Sequence, residues 1–324
     1  MQISADVGKK SVAIFSIHGG VGKSLLAANL GVFMARQTRL KVGLVDLNLG
    51  GGAILAERLR VGSELNVLDW FTRAVADRKH CNEYLVRHSS GLFLLSGTLD
   101  AGRARCLDWR TFQAGLEALG GLFDLLIADL HPAMDMPAVS TLRRADLILL
   151  LTRPERSARV GLERACETLD MLKVPRDRVR LVFNPSGCSR SLSTSLAAAL
   201  GAGLKVYPTL VWDPKTVAEA EARECLPVDL PRRPLGRSLR SIAERVRQDL
   251  CSSSSPRPAN HEAVAEERQP WRAPLTAGEA LRARWERCRE AAFPPVYRPS
   301  SRRTRPGGGN HRPGPPGRGA GDRL

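Results

Sequence analysis

Several things are scarce in this sequence, and each scarcity excludes something. No uncharged apolar run approaches the roughly 18 residues that cross a bilayer, which argues against a membrane-spanning helix. Cysteine occurs seven times in 324 residues, at 81, 106, 166, 188, 225, 251 and 288, and never as C-x-x-C. An odd, scattered set of that kind reads as reduced cytoplasmic thiols, not as a disulfide framework or a zinc ribbon. Lysine is rare beside arginine, 8 against 41, although the net charge is +16. Such an excess admits nucleic acid or an anionic membrane surface as a partner, and equally a codon bias toward Arg. The apolar run "SVAIFSI" after Lys9 and Lys10 is too short for a signal peptide and lacks a small-residue cleavage site. It reads as a first buried strand.

What is present is an alternation. Residues 11–17, 40–46, 91–97, 123–129, 145–152 and 178–184 are continuous apolar runs. Segments 24–36, 66–77, 107–121, 158–172 and 237–250 carry helical apolar stripes. Strands that are apolar throughout, alternating with helices, predict an α/β fold with a mostly parallel central sheet covered by helices on both faces. Ligands of such sheets sit beyond the carboxyl ends of the strands. Lys23, Asp46, Asp129 and Asn184 all fall at or just after such ends.

The stretch "FSIHGGVGKSLLAANL" (15–30) joins an apolar strand to a helix through glycines, a lysine and a serine. The pattern G-x-x-x-x-G-K-[ST] does not fit, because Ile17 stands where its first glycine belongs. The physics of a phosphate cradle still holds. Glycines let backbone N–H groups turn toward phosphate oxygens, and a helix N-terminus adds partial positive charge. Gly19, Gly20, Val21, Gly22, Lys23, Ser24 and Leu25 are the predicted phosphate-binding residues. Lys23 would bridge the β- and γ-phosphates and the Ser24 hydroxyl would ligate Mg²⁺. Asp129, ending "FDLLIAD", is the expected metal-holding acid. A glycine-rich turn without ligand, and an Asp that merely caps the next turn, are the bland alternatives. Each loses force when the two features occur together.

On these residues the chain resembles the deviant Walker A ATPases of the MinD/ParA superfamily, through "IHGGVGKSLLAANLG", "GLVDLNLGGG", "FDLLIADLHP" and "RLVFNPSG". Two longer segments, 46–74 and 207–246, are most similar to the CpaE/TadZ branch, which serves Flp-type (tight adherence) pili. Many of those proteins carry a receiver-like domain ahead of the ATPase; with the first strand starting at once, that domain is expected to be absent here. The resemblance covers about residues 9–249 and implies a three-layer P-loop NTPase that sandwiches two ATP molecules in a homodimer. It implies that Asp46 is the first acid of a switch D-x-D and shares the Mg²⁺ shell with Ser24 and Asp129. It implies that Asn184 reads adenine and that Asp213 and Pro214 close over the base. Three departures stand out. His18 replaces the signature lysine, Asn48 replaces the second switch acid, and Leu25 replaces a hydroxyl residue. The trans-acting, catalytic set His18, Asp46 and Asn48 is therefore weakened, while the binding set is intact.

Beyond about Arg247 the pattern stops. The expected organisation is a nucleotide-binding domain at 9–250, followed by 251–324 as a linker, a helix at 276–291 and a disordered Arg/Pro/Gly-rich tail. Residues 291–324 hold seven Arg and one Asp. The expected function is a cytoplasmic, ATP- and Mg²⁺-binding, nucleotide-gated dimer with slow hydrolysis. It would act in pilus assembly with polar proteins at the pole or inner membrane face. The alternatives are a partition-type ATPase, binding non-specific DNA or an anionic membrane surface through the tail, and a non-hydrolysing scaffold. An iron–sulfur reductase relative is disfavoured, since no cysteine lies near the phosphate loop.

Overall fold

The computed structural model describes residues 9–252 other than 17, 63, 75–81, 154–157 and 186–202, and only the backbone of Ala74 and 158–161. Backbone contacts divide the chain after Thr276, and the described residues all fall in the first unit. The helix expected at 276–291 and the expected tail lie outside them.

Eight strands form one sheet. In chain order they are β1 (Lys10–Phe15), β2 (Val42–Leu47), β3 (Val86–Arg87), β4 (Phe93–Leu95), β5 (Leu125–Leu130), β6 (Leu147–Thr152), β7 (Val179–Phe183) and β8 (Lys205–Val206). Their spatial order is β3-β4-β2-β5-β1-β6-β7-β8, parallel except for the β3–β4 pair. Chain order reverses direction about β1, so the crevice beyond its carboxyl end is a topological switch point.

Burial explains the apolar runs. In β1, Ala13 and Phe15 enter one core and Val12 and Ile14 enter the other, all under 2% exposed. A strand sealed on both faces cannot alternate apolar with polar residues. One face is covered by α1 (Lys23–Gln37), α2 (Ile54–Leu59) and a last helix at Pro234–Ser252. That last helix buries Leu235, Leu239, Ile242, Val246 and Leu250, a stripe at three- and four-residue spacing. The other face is covered by α3 (Val67–Asp69, continued by a π-helical turn at Trp70–Ala74), α5 (Trp109–Leu122), α6 (Met136–Arg144) and α7 (Ala158–Met171). Between them α4 (Ala101–Arg105) is short and buries no side chain. Counting on, α8 is Pro214–Ala222 and the last helix is α9.

The predicted strands occur, as do the helices predicted at 24–36, 107–121, 158–172 and 237–250. The helix expected at 66–77 is instead one capped turn and a π-helical turn, with Trp70 fully buried and its Nε1–H donated to the Gly115 carbonyl at 3.1 Å. The remainder of that segment lies outside the described residues. Cys166, Cys225 and Cys251 are unpaired, whereas Cys106 is disulfide-bonded, against the expectation of thiols throughout.

Candidate nucleotide site

The loop after β1 is built to turn. Gly20 and Gly22 have φ of +69° and +98°, a region that glycine enters without strain. A Cβ at Gly22 would also meet the Asn184 amide at 3.2 Å. Gly22 caps α1, so the helix opens with Lys23, Ser24 and Leu25, and the first-turn N–H groups face the crevice side of the sheet. Ser16 Oγ steadies the entry to the loop: it accepts from His18 N–H at 3.0 Å and donates to the His18 carbonyl at 2.9 Å. His18 itself is exposed.

Two carboxylates lie beneath this loop. Asp46 on β2 and Asp129 on β5 are register partners on adjacent parallel strands, each 1% exposed. Burial first, and the facing Asp129 second, raise the Asp46 carboxyl from 3.8 to about 7, against the N–H bonds from Asn48 and Leu55. Burial raises Asp129 to about 6, opposed by its hydrogen bond with Ser24 and by the charges of Lys23 and Arg58. Lys23 is 8% exposed; its own burial lowers its pKa and Asp129 works against that. Asp46 Oδ2, Asp129 Oδ1 and Asn48 Oδ1 are buried without a hydrogen-bond partner. Space for Asp46 is kept by a glycine: a Cβ on Gly97 would stand 2.7 Å from Asp46 Oδ2 and 2.5 Å from the Gly52 carbonyl. Two unpartnered carboxylate oxygens beside a serine hydroxyl form a hard oxygen donor set that fits Mg²⁺.

Above the carboxylates is an open cavity of about 710 Å³. Gly19, Gly20, Gly22, Lys23, Ser24, Leu25, Asn48, Asp129 and Asn184 line it. Most of the residues singled out from sequence are thus brought together. Asp46 sits below the wall, and its carboxylate meets Asp129. Asn184, just past β7 and 4% exposed, donates Nδ2–H to the Val21 carbonyl at 2.8 Å, so it braces the loop. Asp213 and Pro214 do not line the cavity. The Asp213 carboxylate caps α8, accepting from Lys215 N–H at 3.3 Å and Thr216 N–H at 3.2 Å, which is the ordinary work of an Asp before a helix-starting proline. From the same segment, Trp212 and Val217 line the cavity instead, Trp212 being 44% exposed.

Sequence reasoning missed Trp212, Arg58 and Arg153. Arg153 directly follows β6, so the strand-end rule could have found it once β6 was placed beside β1. Arg58 stands on a short helix after the switch segment, where no local pattern marks it. Together with Lys23 they give the cavity three strong cations. Glycine-shaped backbone amides, cations and a hard-metal donor pair are chemistry of the kind that suits a polyphosphate with a divalent ion.

Comparison with known proteins agrees with this geometry. A family model described as an AAA domain matches residues 9–179. The chain is 26% identical over 249 residues to iron–sulfur cluster carrier proteins of Mycobacterium bovis and Mycobacterium tuberculosis. The match covers 72% of this chain, and the chain spans 63% of the length of those relatives. A ParA family ATPase from Chlorobium tepidum superposes with a TM-score of 0.64 at 17% identity, over 73% of this chain and 99% of that one. The cell division ATPase MinD of Pyrococcus furiosus gives 0.62 at 21%, over 74% and 99%. MinD of Pyrococcus horikoshii, complexed with Mg-ADP, gives 0.61 at 21%, over 73% and 95%. By the family match the chain belongs to the AAA domain family, and its fold is that of the ParA and MinD ATPases.

Proposed function

We propose that this chain binds ATP with Mg²⁺, dimerises under nucleotide control and hydrolyses ATP slowly. One observation carries the reading. Two buried carboxylates with unpartnered oxygens sit directly beneath a phosphate loop whose lysine is itself buried. Without a cation this arrangement costs stability, so its presence supports a ligand here. Bound Mg²⁺ would supply the positive charge that lets both carboxylates ionise and that offsets charge on the phosphates.

The chain's own groups divide into binding and chemistry. Loop amides, Lys23 and Ser24 hold the phosphates. Asn184 stands to read the base, and Trp212 offers a ring for it to stack on. For chemistry the set is thinner. His18 takes the place of a long, flexible cation with a shorter, planar ring. Asn48 can hold a water through its amide but cannot take the proton. Interactions shared by ground and transition states survive, while those made only in the transition state are reduced.

In the cell we assign this slow switch to localising or assembling a Flp-type pilus with polar partner proteins. The CpaE/TadZ-like segments at 46–74 and 207–246 support that assignment. A partition-type role is the second reading, favoured by the ParA-like fold and the arginine excess; a steep loss of DNA affinity with salt would mark it. The cargo of the mycobacterial relatives is not part of the proposal. Among the described residues no three His, Cys, Asp or Glu side chains gather as a metal-binding group.

Lys23→Ala tests the site. It should weaken ATP binding by at least tenfold, about 1.4 kcal/mol, with the fold intact by circular dichroism. Equal affinity of variant and parent would overturn the phosphate-loop reading.

A further inference from the structure

Arg153 is so far only one of the cations lining the cavity, yet it is placed like a ligand group. It follows β6, which runs parallel to β1, so it emerges at the same sheet edge as the phosphate loop. Its Nη2–H is donated to the Gly20 carbonyl at 2.6 Å, and its side chain lines the cavity with Gly19, Gly20, Lys23 and Asn184. Among the described residues no carboxylate pairs with it. Its Nε is buried and has no hydrogen-bond partner. A guanidinium offers five donors in a planar fork suited to phosphate oxygens. Here one donor holds the loop, and a buried one is left unsatisfied, which a native structure tolerates poorly without a ligand.

The strand order assigns its target. Across the sheet edge the sequence of groups is Asp46 on β2, Asp129 on β5, the loop after β1, Arg153 after β6 and Asn184 after β7. The two carboxylates take the metal side of the loop, where the terminal phosphates belong. Arg153 stands on the opposite side, between the loop and the base-facing amide. We propose, resting on the nucleotide reading above, that Arg153 is a binding cation of this same chain for the inner phosphates of the nucleotide. Its contact is shared by ATP and ADP and does not run through the metal. Arg153 thereby supplies positive charge to the site from within the subunit.

The test compares Arg153→Gln with Arg153→Lys. Glutamine keeps an N–H donor for the Gly20 carbonyl but removes the charge; lysine keeps the charge. Affinities for ATP and ADP are measured by calorimetry with Mg²⁺ and in excess chelator, alongside melting temperatures without nucleotide. Arg153→Gln should lose about tenfold to a hundredfold in affinity for both nucleotides, in both conditions, as expected for a charge-assisted hydrogen bond to phosphate. Its ligand-free melting temperature should stay close to the parent's. Arg153→Lys should recover most of the affinity. An Arg153→Gln variant that binds as the parent does would show that the residue only braces Gly20, and would overturn the proposal. So would a loss confined to ATP, which would place the contact on the terminal phosphate. Should Arg153→Gln not fold, the lysine variant decides: a loss beyond tenfold there excludes a charge-borne role. Lys23→Ala run in parallel separates the two ideas. If that change leaves affinity untouched, the site reading fails; if it abolishes binding while Arg153→Gln does nothing, only the Arg153 proposal fails.

Discussion

Replacing Asp46 by Asn should make the ligand-free protein more stable and the liganded protein less so. Burial and the facing Asp129 carry the Asp46 carboxyl from 3.8 to about 7. At about 1.4 kcal/mol for each tenfold change in proton affinity, keeping it ionised above neutrality costs the folded chain about 4 kcal/mol. Asparagine keeps an acceptor for the N–H groups of Asn48 and Leu55, but its amide must also be buried, which gives back about 1–2 kcal/mol. The net gain is about 2 kcal/mol, or about 4–8 °C in melting temperature for a domain of this size. Its pH dependence has a definite sign. The unfolded carboxyl releases its proton near 3.8 and the folded one near 7, so across that interval the folded chain holds more protons and the parent loses stability as pH rises. The advantage of Asp46→Asn should therefore be small near pH 4, grow through the interval and level off above about pH 7. Adding Mg²⁺ and ATP should reverse the ranking, since the variant lacks one of the two carboxylates proposed to hold the cation. Scanning calorimetry of parent and variant from about pH 4 to pH 8, with and without Mg²⁺ and ATP, measures all of this. A variant that melts no higher than the parent at about pH 8, or whose gain is the same at both ends of the range, refutes the argument that these buried charges are strained in the absence of a cation.

Three further outcomes are expected. His18→Lys together with Asn48→Asp should raise ATP turnover by about tenfold or more with little change in affinity, and less than additively, because both act on one transition state; a parent that already turns over as fast as the double variant contradicts the slow switch. Arg180, with its side chain 8% exposed, donates Nε–H to Asp249 at 2.6 Å and so ties β7 to α9. Asp249→Ala should cost about 3 kcal/mol by denaturant titration, while Arg180→Met with Asp249→Leu should recover most of it; a neutral single change would show the pair to be incidental. A chain ending after Ser252 should keep its melting temperature and ATP affinity, because the composition beyond it cannot offset the entropy of ordering it; a large loss of either would show that part of 253–324 docks on the core.

How much of this was legible in advance follows from which interactions are local. The strand runs and long helices were readable because two-sided burial writes itself into consecutive residues. The glycine loop after β1 was readable because its turn, its amides and Lys23 lie within seven residues. Short elements were not. Helices α2, α6 and α8 span six to nine residues, too few for a periodic stripe, although Asp135 and Asp213 before Pro137 and Pro214 were there as capping signals. The antiparallel β3 and the edge strand β8 are two residues each and carry no pattern of their own.

The sequence by itself determined the fold class, the loop and the two acids as separate features, because each depends on neighbours in the chain. Tertiary structure alone decided what they do to one another. Asp46 and Asp129 are 83 positions apart, and only the β2–β5 register makes them a buried pair that resists ionisation. Asp213 looked like part of the base site until folding consumed its carboxylate in a helix cap and turned Trp212 to the cavity. Arg153 reaches the cavity only because β6 is laid beside β1. Strand order is set by how the whole sheet buries its two faces, and that is a sum over long-range contacts that no short stretch of sequence contains.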